Sequence, residues 1–130
     1  MIALDTNILA RLLLDDDARQ AARAERLLAA HPAYWVPVTV VLELAWVLKA
    51  EGYDRAQSVE ALRRVTALAN VRTQHAEAVE RALQWAEGGL DVADALHLAL
   101  SDSASSFATL DARLHKRVTG LAIAPATMLA

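Results

Sequence analysis

Three carboxylates fall at or beyond the ends of short apolar runs and a fourth in the first turn of a helix, a placement that suits an oxygen-ligand metal site. Asp5 directly follows the run Met1 to Leu4, and Asp111 follows Phe107-Ala108-Thr109. Glu43 lies one to two turns into the helical stretch after Tyr34-Trp35-Val36, and Asp94 lies in the first turn of a helix opened by Asp91. In open parallel sheets, ligands bind beyond the carboxyl ends of the strands. All four acids are therefore expected to meet at one end of one sheet. The chain has no Cys, which excludes thiolate ligands, cysteine nucleophiles and disulfides. His31, His75, His97 and His115 lack the spacing of a zinc site. Carboxylates without soft partners suit Mg²⁺ or Mn²⁺, hard cations that take oxygen ligands and keep several waters. Such an ion makes hydroxide available near neutral pH and screens charge on a phosphorus centre and its leaving oxygen. Whether one ion acts or two is left open by the residues.

Each Asp also has a structural reading. Asp is a favoured helix N-cap, and Asp5 and Asp111 both stand just before expected helices. Asp91 and Asp94 have capping-box spacing. Capping and catalysis are compatible, because the backbone geometry that caps a helix also aims the side chain. Glu43 is different, being the only charge between Trp35 and Leu48, with no cationic residue three or four positions away. A buried carboxylate there would need a partner from elsewhere, either a cation or an Arg, because burial without one is costly.

The elements that must position these acids can be read from periodicity and breakers. Strands are expected at Met1 to Leu4, Tyr34 to Val36, Asn70 to Arg72, Phe107 to Thr109 and Leu121 to Ile123. Helices are expected at Ile8 to Leu14, ended by Asp15-Asp16-Asp17, and at Ala18 to Ala30, with Ala21, Ala24, Leu27 and Leu28 inward and Arg19, Arg23 and Arg26 outward. Further helices are expected at Thr39 to Ala50, Arg55 to Leu68, Ala76 to Glu87, and from Asp91 to near Asp102. Strands alternating with helices imply a parallel sheet covered on both faces, and short unalternating apolar strands agree. The expected fold is one α/β domain over residues 1–130, a three-layer α/β/α sandwich with a short central parallel sheet.

Composition narrows the function classes. Hydrophobic residues make up 55% of the 130 residues and charged residues 22%, the balance of a globular domain able to bury a core. The net charge of −3 argues against simple electrostatic coating of DNA or RNA. It leaves room for a nuclease with an acidic site and a local basic rim. No secretory signal is visible at Met1-Ile2-Ala3-Leu4, and no apolar run reaches the roughly 18 residues of a membrane span. A cytoplasmic protein is the expectation.

The motifs together resemble those of PIN-domain proteins. Met1-Ile2-Ala3-Leu4-Asp5-Thr6-Asn7 resembles the opening strand with its Asp-Thr-Asn, and Val38-Thr39-Val40-Val41-Leu42-Glu43-Leu44 the second motif. Asp91-Val92-Ala93-Asp94-Ala95-Leu96-His97 resembles the third, and Phe107-Ala108-Thr109-Leu110-Asp111 the fourth. The order holds over essentially the whole chain. Leu110 stands where the pattern commonly has Phe, an exchange that stays apolar. Size and minimal decoration resemble the VapC-type toxins of prokaryotic toxin–antitoxin pairs. The resemblance implies a Mg²⁺- or Mn²⁺-dependent endoribonuclease that forms a homodimer and is silenced by a cognate antitoxin. It implies catalytic and metal-binding roles for Asp5, Glu43, Asp94 and Asp111, with Thr6, Asn7 and Thr109 supporting the site through hydrogen bonds. Asp94 matches the motif's spacing better than the additional acid Asp91, which stays a second candidate for the metal.

Other features carry weaker signals. Arg113, His115, Lys116 and Arg117 are the densest basic cluster, either a solvated face or a rim for RNA phosphates, with Arg11 a further candidate on the other side. His31 is expected at the surface, and His97 in helix packing. Val41, Leu44, Ala45, Trp46 and Leu48 are either core or a twofold dimer contact, expected within Thr39 to Tyr53. The competing function class is a non-catalytic or receiver-like α/β module with an acidic Mg²⁺ pocket. A receiver needs a Lys after its last strand, and here Leu121 to Ile123 is followed by Ala124-Pro125, with no Lys.

Overall fold

The computed structural model describes residues 1–14 and 16–130, so the proposed role of Asp15 in ending the first helix lies outside the described residues. The chain forms two compact units, Met1–Ala76 and Glu77–Ala130. The first contains β1 (Ile2–Ala3), α1 (Thr6–Leu14), α2 (Ala18–Ala30), β2 (Tyr34–Val36), α3 (Val38–Ala50), α4 (Arg55–Thr66) and β3 (Val71–Thr73). The second contains α5 (Ala76–Glu87, beginning at the boundary), α6 (Val92–Ala99), β4 (Ser106–Thr109), α7 (Ala112–Leu121) and β5 (Ala126–Leu129). The expected helix-rich α/β class with short parallel strands is what the chain adopts.

In the first unit the sheet order is β1-β2-β3, all parallel, with Ile2 opposite Tyr34 and Tyr34 opposite Val71. α1 packs on α2 and α3, and α3 on α4. Tyr34, Val36, Leu9, Leu44, Leu48 and Leu62 are the largest closed side chains of this core. α2 starts at Asp17, whose carboxylate accepts the Gln20 amide at 3.1 Å. Its far end is held by side chains from the sheet. The Tyr34 hydroxyl donates to the Leu27 carbonyl, and Asn70 Nδ2 donates to the Leu28 carbonyl at 2.9 Å. Near a helix end such carbonyls lack intrahelical donors, and each bond contributes about 1 kcal/mol while fixing α2 against β2 and β3.

The start of α3 is organised differently. Pro37 precedes it and offers no side-chain cap, and the Val38 amide donates instead to Gln74 Oε1 at 3.0 Å. The Gln74 amide in turn donates to the Val36 carbonyl at 2.9 Å, so the end of β3 holds the β2–α3 turn from both sides. At the other end of α3, Tyr53 donates to Leu48 and Gly52 to Lys49, with Gly52 at φ +91°, the left-handed position that suits a glycine cap. α4 begins with a complete capping box between Asp54 and Gln57.

In the second unit β4 and β5 pair in parallel over their whole length, and α7 packs on both. Two expectations need correction here. Residues Leu121 to Ile123 are not a strand. Leu114, Val118 and Leu121 continue one helical stripe, so α7 runs through Leu121, and Ala122 leaves it in the left-handed conformation at φ 52°. The last strand lies further on, at Ala126–Leu129, and the receiver comparison based on residue 123 loses its anchor. α6 stops at Ala99 rather than near Asp102, because the Ser101 hydroxyl back-bonds to the His97 carbonyl at 2.7 Å and Ala104 closes a turn onto Ser101. No helix among the described residues is long and apolar enough to cross a membrane.

Candidate functional site

Two of the expected acids belong to the first unit. Asp5 follows β1 after Leu4, whose amide still donates to the Trp35 carbonyl at 2.9 Å, and α1 begins at the next residue. Asp5 is exposed, and its Oδ1 accepts the Thr6 amide at 2.8 Å. That is not the usual cap, which takes an amide two or three positions on. Asp5 Oδ2 has no partner among the described residues. Thr6 is buried at 3% exposure, and its hydroxyl finds no hydrogen bond, so of the expected support only its backbone amide touches the acid. Asn7 is exposed in the first turn of α1.

Glu43 sits in the second turn of α3, beyond the end of β2. Val41, Leu44, Ala45 and Leu48 form the buried face of that helix, while Glu43 and Trp46 share the opposite one. The sequence suggested a carboxylate enclosed by apolar neighbours, and the structure corrects this: Glu43 is exposed. It makes no hydrogen bond or ion pair among the described residues, so no Arg neutralises it. Of the five apolar residues considered for a dimer face, only Trp46 is exposed, at 55%. The others are core.

The second unit supplies the other two. Asp111 caps α7 in the usual way, its Oδ1 accepting the Leu114 amide at 3.0 Å. Its own amide donates to Thr109 Oγ1 at 3.0 Å, while the Thr109 carbonyl accepts the Ala130 amide at 2.8 Å. Thr109 thus fixes the Asp111 backbone to the end of β4. Asp111 Oδ2 has no partner among the described residues. Asp94 is half-buried in the first turn of α6, and its amide donates to Asp91 Oδ2 at 3.3 Å. Asp91 is therefore the cap of α6 and spends one oxygen on that bond.

Within neither unit do three or more acidic or His side chains among the described residues stand together as a metal-holding group. Asp5 Oδ2, Asp111 Oδ2 and both Glu43 oxygens have no partner among the described residues, and carboxylate oxygens of this kind are what a hard divalent ion takes as ligands.

The basic residues divide in two. Arg113 and Lys116 are exposed on α7, one turn apart, with no hydrogen-bond or ion-pair partner among the described residues. Arg117 instead lies against Gly89, whose φ of +121° is a conformation that residues with a side chain rarely adopt. His115 is tied through Nδ1 to Thr127 Oγ1 at 2.6 Å, and is half-buried. Arg11 is half-buried and bonded to Asp16 at 2.7 Å, which removes it as a free phosphate ligand in this arrangement. His31 is exposed, with its ring edge-on to Tyr34. Sequence reading missed Gln74 and Asn70 as anchors, because side-chain bonds across 36 or 42 residues leave no local signature.

Comparison with known proteins adds to this geometry. No curated protein matches the chain. A crystal structure of Mycobacterium tuberculosis VapC20, described as a sarcin-ricin-loop-cleaving toxin, is similar at 25% identity over 89% of this chain and 94% of that one, with a TM-score of 0.47. The PIN domain family model matches residues 2–121, a span that includes Asp5, Glu43, Asp94 and Asp111. The chain belongs to the PIN domain family.

Proposed function

We propose that the chain is a metal-dependent endoribonuclease and the toxin of a type II toxin–antitoxin pair, with Asp5, Glu43, Asp94 and Asp111 as its catalytic acids. The observation that carries this reading is the family match over residues 2–121, which takes in Asp5, Glu43 and Asp111 at or just beyond strand-to-helix steps and Asp94 in the first turn of α6. The match also runs unbroken across the boundary between Ala76 and Glu77, which supports treating the two units as one functional domain. The toxin assignment follows from the resemblance of the four motifs, in order and spacing, to VapC-type proteins. A cytoplasmic location and a cognate antitoxin belong to the same proposal.

The ion called for is Mg²⁺ or Mn²⁺, held by the four acids. When bound, such an ion supplies water activation near neutral pH and charge screening at phosphorus. The chain's own residues do the positioning. The Thr6 amide fixes one Asp5 oxygen and leaves the other without a partner among the described residues. The Leu114 amide does the same for Asp111, whose own backbone amide donates to Thr109 Oγ1. Asp91 is assigned to capping and Asp94 to the site. Arg113 and Lys116, just past Asp111, are assigned to RNA phosphates, where each cation displaces condensed counterions. The test is cleavage of labelled single-stranded RNA by the purified chain. Cleavage is expected with added Mg²⁺ or Mn²⁺ and none in excess EDTA. Full activity in EDTA, or no cleavage with either metal, would overturn the reading.

A twofold homodimer is also proposed, with α3 at the contact. The support is Trp46, a large apolar side chain left 55% exposed on a helix whose other apolar residues are mostly enclosed. Light scattering at micromolar concentration should give twice the monomer mass, and Trp46→Ala should shift the population toward monomer. A wild-type monomer under those conditions would remove the dimer from the proposal.

A further inference from the structure

An open groove of about 380 Å³ runs between α1 and α2 in the first unit. Asn7, Ile8 and Arg11 line it from α1, and Gln20, Arg23 and Leu27 from α2. The spacing makes this a meeting of two helix faces. Asn7 and Arg11 are one turn apart on α1, and Gln20, Arg23 and Leu27 recur at three and four residues on α2. Its volume lies at the lower end of the roughly 300–1,000 Å³ common for small-ligand sites.

The chemistry of the walls is mixed in a specific way. Ile8 and Leu27 supply a half-buried apolar floor, and the Asn7 and Gln20 amides offer both donors and acceptors. The two guanidiniums are not equivalent. Arg11 is neutralised by Asp16 at 2.7 Å, whereas Arg23 is exposed and has no hydrogen-bond or ion-pair partner among the described residues. Arg19 and Arg26 are likewise exposed and unpaired. They continue the stripe from Arg23 by four and three residues, a line of positive charge about 10 Å long on α2. Asn7 is two residues beyond Asp5, so one end of the groove adjoins a residue already assigned to the chemistry.

We propose that this groove is a subsite for one nucleotide of single-stranded RNA. Arg23 holds a backbone phosphate, the Asn7 and Gln20 amides meet the edge of the base, and Ile8 and Leu27 lie against its face. Single-stranded RNA offers the unstacked bases and accessible edges that such a site needs. Basic grooves with apolar platforms are the common means of holding single strands. Charge selects RNA over a partner peptide here. The unopposed guanidinium and its neighbours along α2 match an evenly charged anionic strand, whereas a peptide would need acids at matching intervals. The proposal rests on the ribonuclease reading and adds where the strand lies.

The test uses the full-length chain in EDTA, with a fluorescent single-stranded oligoribonucleotide of mixed sequence as probe. Arg23→Gln should weaken binding roughly five- to tenfold, and the slope of log K against log salt should fall by about 0.7, the value for one phosphate contact on a single strand. Asp16→Asn should act in the opposite direction and tighten binding, because it releases Arg11 into the groove. Arg23→Lys should recover most of the salt slope. Metal-supported cleavage by Arg23→Gln should show a raised KM with kcat little changed. Binding and slope unchanged in Arg23→Gln, with wild type still binding and cleaving RNA, would overturn the subsite and leave the ribonuclease reading standing. Wild type that neither binds nor cleaves RNA would remove both. Loss of a co-purifying protein partner by Arg23→Gln, with RNA binding intact, would reassign the groove to a peptide and also overturn the proposal.

Discussion

Asp5→Asn is expected to reduce metal-dependent RNA cleavage by at least about a thousandfold while leaving the thermal melt close to wild type. The size follows from the job assigned to the charge. Holding a divalent ion that activates water and screens phosphorus lowers the barrier by several kcal/mol, and about 4 kcal/mol corresponds to a factor of a thousand. The small change in stability follows from the local geometry. The Asp5 contact with the protein is Oδ1 accepting the Thr6 amide at 2.8 Å, and an Asn side-chain oxygen can accept the same bond. The residue is exposed, so no buried charge is lost or gained. The decisive measurement pairs cleavage in Mg²⁺ or Mn²⁺ with a melt, for wild type and variant on the same day and stock. Wild-type cleavage by Asp5→Asn would reduce Asp5 to a turn residue and remove the central acid from the proposed mechanism.

Most elements were legible because their determinants are local. Ala18–Ala30 is bounded by Asp17 and by His31-Pro32, and Ala76–Glu87 ends at Gly88-Gly89, all features within a turn of the boundary they set. The error at residues 121–123 arose from a competition that composition does not decide. Leu121-Ala122-Ile123 reads equally as a short strand or as the last turn of a helix, and the buried stripe of Leu114 and Val118 settles it for the helix. α6 was read too long because Ser101 is compatible with a helical pattern until its hydroxyl bonds back to His97. Among the candidate acids, Asp5 and Asp111 were placed correctly relative to their strands, since an Asp at a strand-to-helix step is visible in sequence. The surroundings of Glu43 were not. A helix with mean apolar character leaves its exposed strip undefined until the packing partner is known, and here Val41, Leu44 and Leu48 turn inward while Glu43 and Trp46 do not. Gln74 shows the same limit, since its bond to the Val38 amide exists only once β2 and β3 are adjacent.

Capping needs an oxygen acceptor at Asp111 and catalysis needs its charge, and two substitutions separate the two requirements. Asp111→Asn keeps an oxygen that can accept the Leu114 amide, so α7 should stay capped, and Asn ranks with Asp at this position. Asp111→Ala removes the acceptor, leaves the Leu114 amide without its partner and should cost about 1 kcal/mol. For a domain of this size that corresponds to a fall in Tm of about 3–5 °C. The Thr109 hydroxyl continues to accept the residue-111 amide in both variants, so the end of β4 should be undisturbed. If Asp111 only begins a helix, cleavage should follow stability: the Ala variant impaired in proportion to its melt, the Asn variant close to wild type. If its second oxygen is a ligand, both variants should lose cleavage by roughly a hundredfold or more, since each lacks the charge that holds the ion. The proposal requires the second pattern, with Asp111→Asn inactive and as stable as wild type. Near-normal cleavage by Asp111→Asn in saturating Mg²⁺ would place Asp111 among the caps, beside Asp17, Asp54 and Asp91, and leave the site with three acids at most.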